Sequence, residues 1–226
     1  MLKGIERRFH KFFEDYGDPT KYKKFTDDEL KALPTEFPDF MRDFYIEYGR
    51  TLLLDGRFQA CHPDDLKGVL SLIFGADKDF NHKSYHAFAY SAFGDIYFWN
   101  SEKGMGIIYL LNGRVTCNGV VTPPSQADNL QNQFIVPFCL SPENFDHPDL
   151  QGKPLFKRAV KKCGPLDIGE CYGFVPALAL GGIEDIECVT RQKSAAAHFA
   201  FVAQTVNFNL IDVQGYEKSV IVRPIG

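Results

Sequence analysis

Residues 85–121 read YHAFAYSAFGDIYFWNSEKGMGIIYLLNGRVTCNGVV. Four apolar runs are separated by Gly94-Asp95, by Ser101 to Gly104 and by Asn112-Gly113, compositions that reverse a chain. The runs are short and rich in Tyr, Phe, Ile and Val, the pattern of strands rather than helices. The stretch therefore predicts an antiparallel β-meander with one face on a core and the other in water. Trp99, the sole tryptophan, falls in the second run and is expected in the core or on a sheet face.

Helical patterns precede this meander. Phe9, Phe12, Phe13 and Tyr16 recur at helical spacing and predict an amphipathic helix over the first sixteen residues, ended by Gly17. Thr26-Asp-Asp-Glu29 has the form of a capping box, with a short helix running from it towards Leu33. Pro38 opens a third helix whose stripe is Phe40, Met41, Phe44, Tyr45 and Tyr48, closed by Gly49. TLLLDGRFQACH, residues 51–62, reads as a hairpin around Asp55-Gly56, and His62-Pro63-Asp64-Asp65 opens a helix through Phe74.

Beyond the meander the pattern weakens. Residues 125–140, SQADNLQNQFIVPFCL, are compatible with a helix, and 141–154, SPENFDHPDLQGKP, read as a polar connection. LFKRAVKKCG (155–164) predicts a helix, IEDIECVT (183–190) a strand, KSAAAHFAFVAQT (193–205) a helix and YEKSVIVRP (216–224) a final strand. Within 169–182, GECYGFVPALALGG, Tyr172, Phe174 and Val175 are expected in a core. Gly173 allows close backbone approach there, Pro176 interrupts the ladder and Gly181-Gly182 turn the chain. The fold class is α+β: a central antiparallel meander packed with helices, plus a smaller α/β C-terminal subdomain. The boundaries expected are 1–122, a connection over 123–152, and 153–226.

Composition narrows the function classes. The 226 residues are 45% hydrophobic and carry a net charge of −4, ample for a buried core. Residues 1–24 hold seven Lys/Arg against four Asp/Glu, residues 25–110 eight against fourteen, and residues 111–226 ten against eleven. The globular part thus lacks the basic stripe of a nucleic-acid binder. The N-terminus mixes charge with Phe, unlike a signal peptide, and no apolar stretch reaches the length of a membrane span, so a cytoplasmic location is expected. Six scattered cysteines without a CxxC pair predict reduced, mostly buried thiols.

Catalytic motifs find no match. Neither GxxxxGK[ST], GxGxxG nor GxSxG occurs. His82 and His86 have the four-residue spacing of a zinc helix but lack its Glu, and on a strand their rings would stand about 13 Å apart. Cys61 and His62 are adjacent, which on a strand points them to opposite faces. No catalytic residue, metal or cofactor is expected. A rival reading, an enzyme or small-molecule sensor with a pocket between the subdomains, would use His86 and Asp95 first. Among paired carboxylates, Asp27/Asp28 and Asp64/Asp65 are explained by helix starts, whereas Asp77/Asp79 and Glu184/Asp185/Glu187 lie in expected loops.

Two stretches carry a resemblance. LPTEFPDFMRDFYIEYGRTLLLDGRFQACHPDDL with AYSAFGDIYFWN resembles the GAD-like domain, itself similar to the SUKH superfamily of bacterial immunity proteins. GPLDIGECYGFVPALALGG with AAAHFAFVAQ resembles the C-terminal domain of immunity proteins that neutralise DNase toxins of type VI secretion systems. The resemblance implies a non-catalytic cytosolic inhibitor whose partner is a cognate nuclease toxin, with no direct nucleic-acid or membrane contact. From the residues themselves, the expected partner-binding positions are Asp77, Asp79, Phe80, Glu102, Glu184, Asp185 and Glu187, acids and an aromatic that would meet a basic nuclease.

Overall fold

The computed structural model describes residues 4–19, 21–125, 129–214 and 218–226. The first three residues of the predicted N-terminal helix, 126–128 of the segment after the meander, and Tyr216 and Glu217 of the last predicted strand lie outside the described residues. In chain order the strands are β1 (Lys21–Lys23), β2 (Arg50–Leu53), β3 (Phe58–Ala60), β4 (His86–Ser91), β5 (Asp95–Asn100), β6 (Gly104–Tyr109), β7 (Arg114–Cys117), β8 (Cys171–Phe174), β9 (Val189–Gln192), β10 (Asn209–Val213) and β11 (Ser219–Pro224). The α-helices are α1 (Gly4–Tyr16), α2 (Asp27–Lys31), α3 (Asp39–Glu47), α4 (Lys67–Phe74), α5 (Asn118–Val121), α6 (Phe156–Cys163) and α7 (Ala195–Ala203).

The predicted meander forms the middle of a nine-stranded sheet ordered β1-β2-β3-β4-β5-β6-β7-β10-β11. Its pairings are antiparallel except β7 with β10, which is parallel because the chain returns to that edge only after the whole C-terminal segment. β8 and β9 form a separate antiparallel ribbon. The architecture is mixed α+β. β10 was not anticipated, and with β11 it carries the C-terminal segment back into the main sheet.

The expectation of one wet face does not hold. Ile96 and Phe98 of β5 enter a core with Leu70 and Phe74 of α4 and Phe199 and Val202 of α7. Tyr97 and Trp99, the alternate positions, enter a second core with Phe9 and Phe12 of α1 and Phe44 and Tyr45 of α3. The runs FAYS and IYFW hold almost no charged side chain, which is the signature of a strand covered on both sides. Further corrections concern the connections. Residues 130–139 form a 3-10 helix, and Phe145, inside the expected polar connection, is buried beneath Phe58 with ring centroids 4.7 Å apart. Residues 186–188 of the expected strand IEDIECVT are a 3-10 turn, since Asp185 caps them by accepting from the Glu187 N–H at 2.8 Å.

Local signals otherwise work as read. Thr26 and Glu29 close the capping box of α2. At the next helical start the ring of His62 accepts from the Asp64 N–H, while Asp65 accepts from the His62 N–H at 3.0 Å. Asp65 also takes two bonds from Arg50, each 2.7 Å, and Arg50 reaches Glu29 at 2.8 Å, so one guanidinium ties α2, β2 and the turn before α4.

One buried side chain joins the start of β8 to the sheet. Gln59 on β3 is 1% exposed. Its Nε2 donates to the Glu170 carbonyl at 2.8 Å, and its Oε1 accepts from the Tyr90 hydroxyl at 2.9 Å and the Gly169 N–H at 3.1 Å. Beside it the Tyr172 N–H donates to the Ala92 carbonyl at 2.8 Å, so β8 starts against the β4–β5 turn. Glu170 itself is held by Arg191 and by Lys193, the latter at 3.0 Å. Removing the amide strands two buried polar groups, the Glu170 carbonyl and the Tyr90 hydroxyl, and the part-buried Gly169 N–H. Gln59→Leu is therefore expected to cost about 2–4 kcal/mol, read as a lower urea midpoint; a shift below about 0.5 kcal/mol would show that water or a neighbour replaces the amide.

Candidate functional site

The ribbon β8–β9 and helix α7 meet at Gly173. A Cβ there would lie 2.2 Å from Nε2 of His198, so only glycine lets the imidazole settle on the strand. Ser194 caps α7 by accepting from the Ala197 N–H at 3.2 Å. Burial lowers the pKa of His198, which leaves the ring neutral near pH 7. Tyr172 and Phe174 are buried as expected, but Val175 is not. It begins a loop with a cis bond to Pro176 and a 3-10 turn at Leu178–Leu180. The loop closes where the Gly182 N–H donates to Ala177 at 3.0 Å. A Cβ at Gly182 would sit 2.0 Å from the Pro176 carbonyl.

The result is a groove of about 460 Å³ between this loop and α7, lined by Phe174, Val175, Pro176, Leu180, His198 and Phe201 among others. Val175, Leu180 and Phe201 in the groove, and Ile183 just after the loop, are 49 to 57% exposed. That is an unusual density of half-open apolar side chains for one short segment. Directly after Ile183 come Glu184, Asp185 and Glu187. Glu184 accepts from His147 at 3.2 Å, Asp185 caps the following turn, and the Glu187 side chain is 83% exposed with Lys162 at 3.5 Å.

The other expected partner-binding residues lie elsewhere. Asp77 has a side chain only 1% exposed, gripped by Arg223 of β11, whose Nη2 reaches it at 2.9 Å. Asp79 is 41% exposed and takes the same guanidinium at 2.6 Å. Phe80 has no exposed surface and stacks on Phe74 at 4.5 Å, so it is a core residue and not a surface anchor. Glu102 is exposed in the β5–β6 turn. The acids thus form two groups at the two ends of β5. Asp77, Asp79 and Glu102 all act electrostatically on Tyr85 at one end. Glu184 reaches the other through His147, which lies 5.7 Å from Phe93.

The two residues of the rival reading do not converge. His86 pairs in register with Trp99 and Asp95 with Tyr109, which separates them by about 13 Å along β5. Burial lowers the His86 pKa and raises that of Asp95 to about 6. Neither lines the cleft of about 620 Å³ between the N-terminal half and α6. In that cleft Arg57 lies 4.2 Å over the Phe156 ring and donates to the Leu54 carbonyl. Among the described residues no group of three or more His, Cys, Asp or Glu could hold a metal ion, and no helix is long and apolar enough to cross a membrane.

The apolar side chains of the groove were missed because apolar residues in sequence read as core. The available signal was the spacing of Pro176, Gly181 and Gly182, which denies Leu180 and Ile183 any regular ladder. A stable scaffold presenting a half-open apolar face beside carboxylates has the make-up of a docking protein. Comparison with known proteins gives the class. Residues 7–112 match the family model of the GAD-like domain, and residues 137–206 match that of the T6SS immunity protein Tdi1, C-terminal. The chain thus carries, in order, a stretch similar to the GAD-like domain and one similar to the C-terminal domain of a type VI secretion immunity protein. The crystal structure of Atu4351 from Agrobacterium tumefaciens is similar over 96% of this chain and 98% of that one, with a TM-score of 0.87 and 29% sequence identity. No curated protein matches.

The Asp77–Arg223 clamp yields a pH prediction. Burial alone would raise the Asp77 carboxyl, but bonds from Arg223 and from the N–H groups of Asp79, Gly226 and Phe80 outweigh it and hold the pKa at about 2. A carboxyl with a lowered folded pKa adds stability above its unfolded value and loses it as pH falls. Wild-type stability should therefore drop between about pH 4 and pH 2, and Arg223→Ala should flatten that drop. An unchanged acid limb in the variant would mean the clamp contributes nothing.

Proposed function

We propose that this protein binds and neutralises a type VI secretion nuclease toxin, a DNase, in the cytosol, and that the docking face is the groove of the C-terminal domain. The observation that carries the reading is the set of half-exposed Val175, Leu180 and Ile183, followed at once by Glu184, Asp185 and Glu187, with half-exposed Phe201 of α7 in the same groove as Val175 and Leu180. A nuclease surface is basic because it receives phosphates. Carboxylates beside an apolar anchor site favour such a partner in both approach and register. Asp79 and Glu102, at the far end of β5, add to the long-range field rather than to the contact. A cytosolic setting fits six cysteines that are all free. Inhibition then needs no chemistry from this chain: covering or distorting the toxin suffices.

Alanine-scan behaviour of interfaces sets the expected scale. Leu180→Asp and Phe201→Asp should each weaken binding to a type VI nuclease toxin that the wild-type chain neutralises on co-expression by about 30-fold or more, because central apolar anchors carry about 2 kcal/mol or more each. Glu187→Lys should act mainly on the association rate and reduce its salt dependence. Both aspartate variants place a charge on an already open face, so their melting temperatures should stay near wild type. Undiminished binding by the two aspartate variants, or a larger loss from reversing Asp79 and Glu102, would move the docking face off the groove.

A further inference from the structure

The two edges of the large sheet are built differently. At one edge β1 is three residues long and reads Lys21-Tyr22-Lys23, a short strand guarded by lysines, one of the devices by which proteins keep sheet edges from pairing. At the other edge β11 spans six residues, Ser219–Pro224, and its outer side has no strand beside it among the described residues. Val220, Ile221 and Val222 are exposed there, Ile221 by 65%, with Val213 of β10 open alongside. Arg223 is taken up by Asp77 and Asp79, and the Gly226 N–H faces Asp77. The open portion is therefore Ser219 to Val222, a run of uncharged residues with high strand propensity.

We propose that β11 is a self-association edge, at which a second copy of this chain adds its own β11 antiparallel to the first. Val-Ile-Val reads the same in both directions. A two-fold axis through Ile221 therefore sets Ile221 against its counterpart and each Val220 against the other copy's Val222. The same register places Ser219 opposite Arg223 and Lys218 opposite Pro224, so no like charges meet, which an isologous contact requires. The register shift between Leu210 and Ile211 leaves Val222 without a partner on β10. Such a bulge limits a ladder to a few residues. A contact this short falls below the roughly 1,000 Å² of a tight interface, so the dimer is a weak one that forms with rising concentration. This edge is separate from the toxin-docking groove, and neither proposal depends on the other.

The full chain should be followed by sedimentation velocity from about 10 to about 500 µM, beside Ile221→Lys, which copies the lysine guard of the opposite edge. Wild type is expected to shift from monomer towards dimer over that range, and the variant to stay monomeric with an unchanged melting temperature. A second substitution, Val220→Thr, keeps strand propensity and should weaken association only partly. Monomeric wild type at every concentration, or an Ile221→Lys variant that dimerises equally well, overturns the proposal. A strand supplied instead by the toxin would appear as β11 protection only in the mixed sample, with monomeric wild type alone, and would also overturn it.

Discussion

The amide of Gln59 is the contact on which the rest of the molecule depends. A primary amide offers donors and an acceptor from one rigid plane, and here both are used inside the protein: Glu170 receives, while Tyr90 and Gly169 give. A buried polar group in this position is favourable only while every partner is present. The same residue therefore fixes the start of β8, the direction of the ribbon and, through Gly173 and His198, the seat of α7. A C-terminal unit attached by apolar packing alone would have no such unique placement. The groove is accordingly held by the sheet, although its lining comes almost wholly from residues 174–201.

Charge and apolar surface take different roles. Most of the carboxylates that stand out in the sequence are occupied by internal work: Asp65 and Glu29 hold Arg50, Asp77 and Asp79 hold Arg223, and Glu170 holds Arg191 and Lys193. Such pairs orient segments that are far apart in sequence. Among the acids expected to face a partner, Glu187, its side chain 83% exposed beside Lys162, and Glu102 are open, and in the proposed docking they would contribute to the field that guides a basic partner. In the docking proposed above, the contact itself would fall to the exposed aliphatic side chains of the C-terminal loop and to Phe201 of α7.

Much of the fold was legible because local chemistry and global structure agree. The turns at Gly94 and Gly113, the capping box at Thr26 and the amphipathic stripe of α3 each act within a few residues, and each appears where the sequence puts it. What was not legible depends on distant segments. Burial of both sheet faces needs α7, more than ninety residues beyond β5, and the pairing of β10 beside β7 has no local signal at all. Site residues suffered in the same way. Phe80 resembles a surface anchor in sequence because it follows three polar or small residues, yet the Phe74 ring claims it. Val175 looks like core until the chain turns it outward.

The most direct test of the docking account is amide hydrogen exchange on the full chain, alone and saturated with a type VI toxin that it neutralises on co-expression. The account predicts slowed exchange in residues 175–185 and 195–203 on complex formation, with the β5–β6 turn around Glu102 nearly unchanged. Protection centred on that turn and on residues 77–80, with the C-terminal loop exchanging as in the free protein, would contradict it.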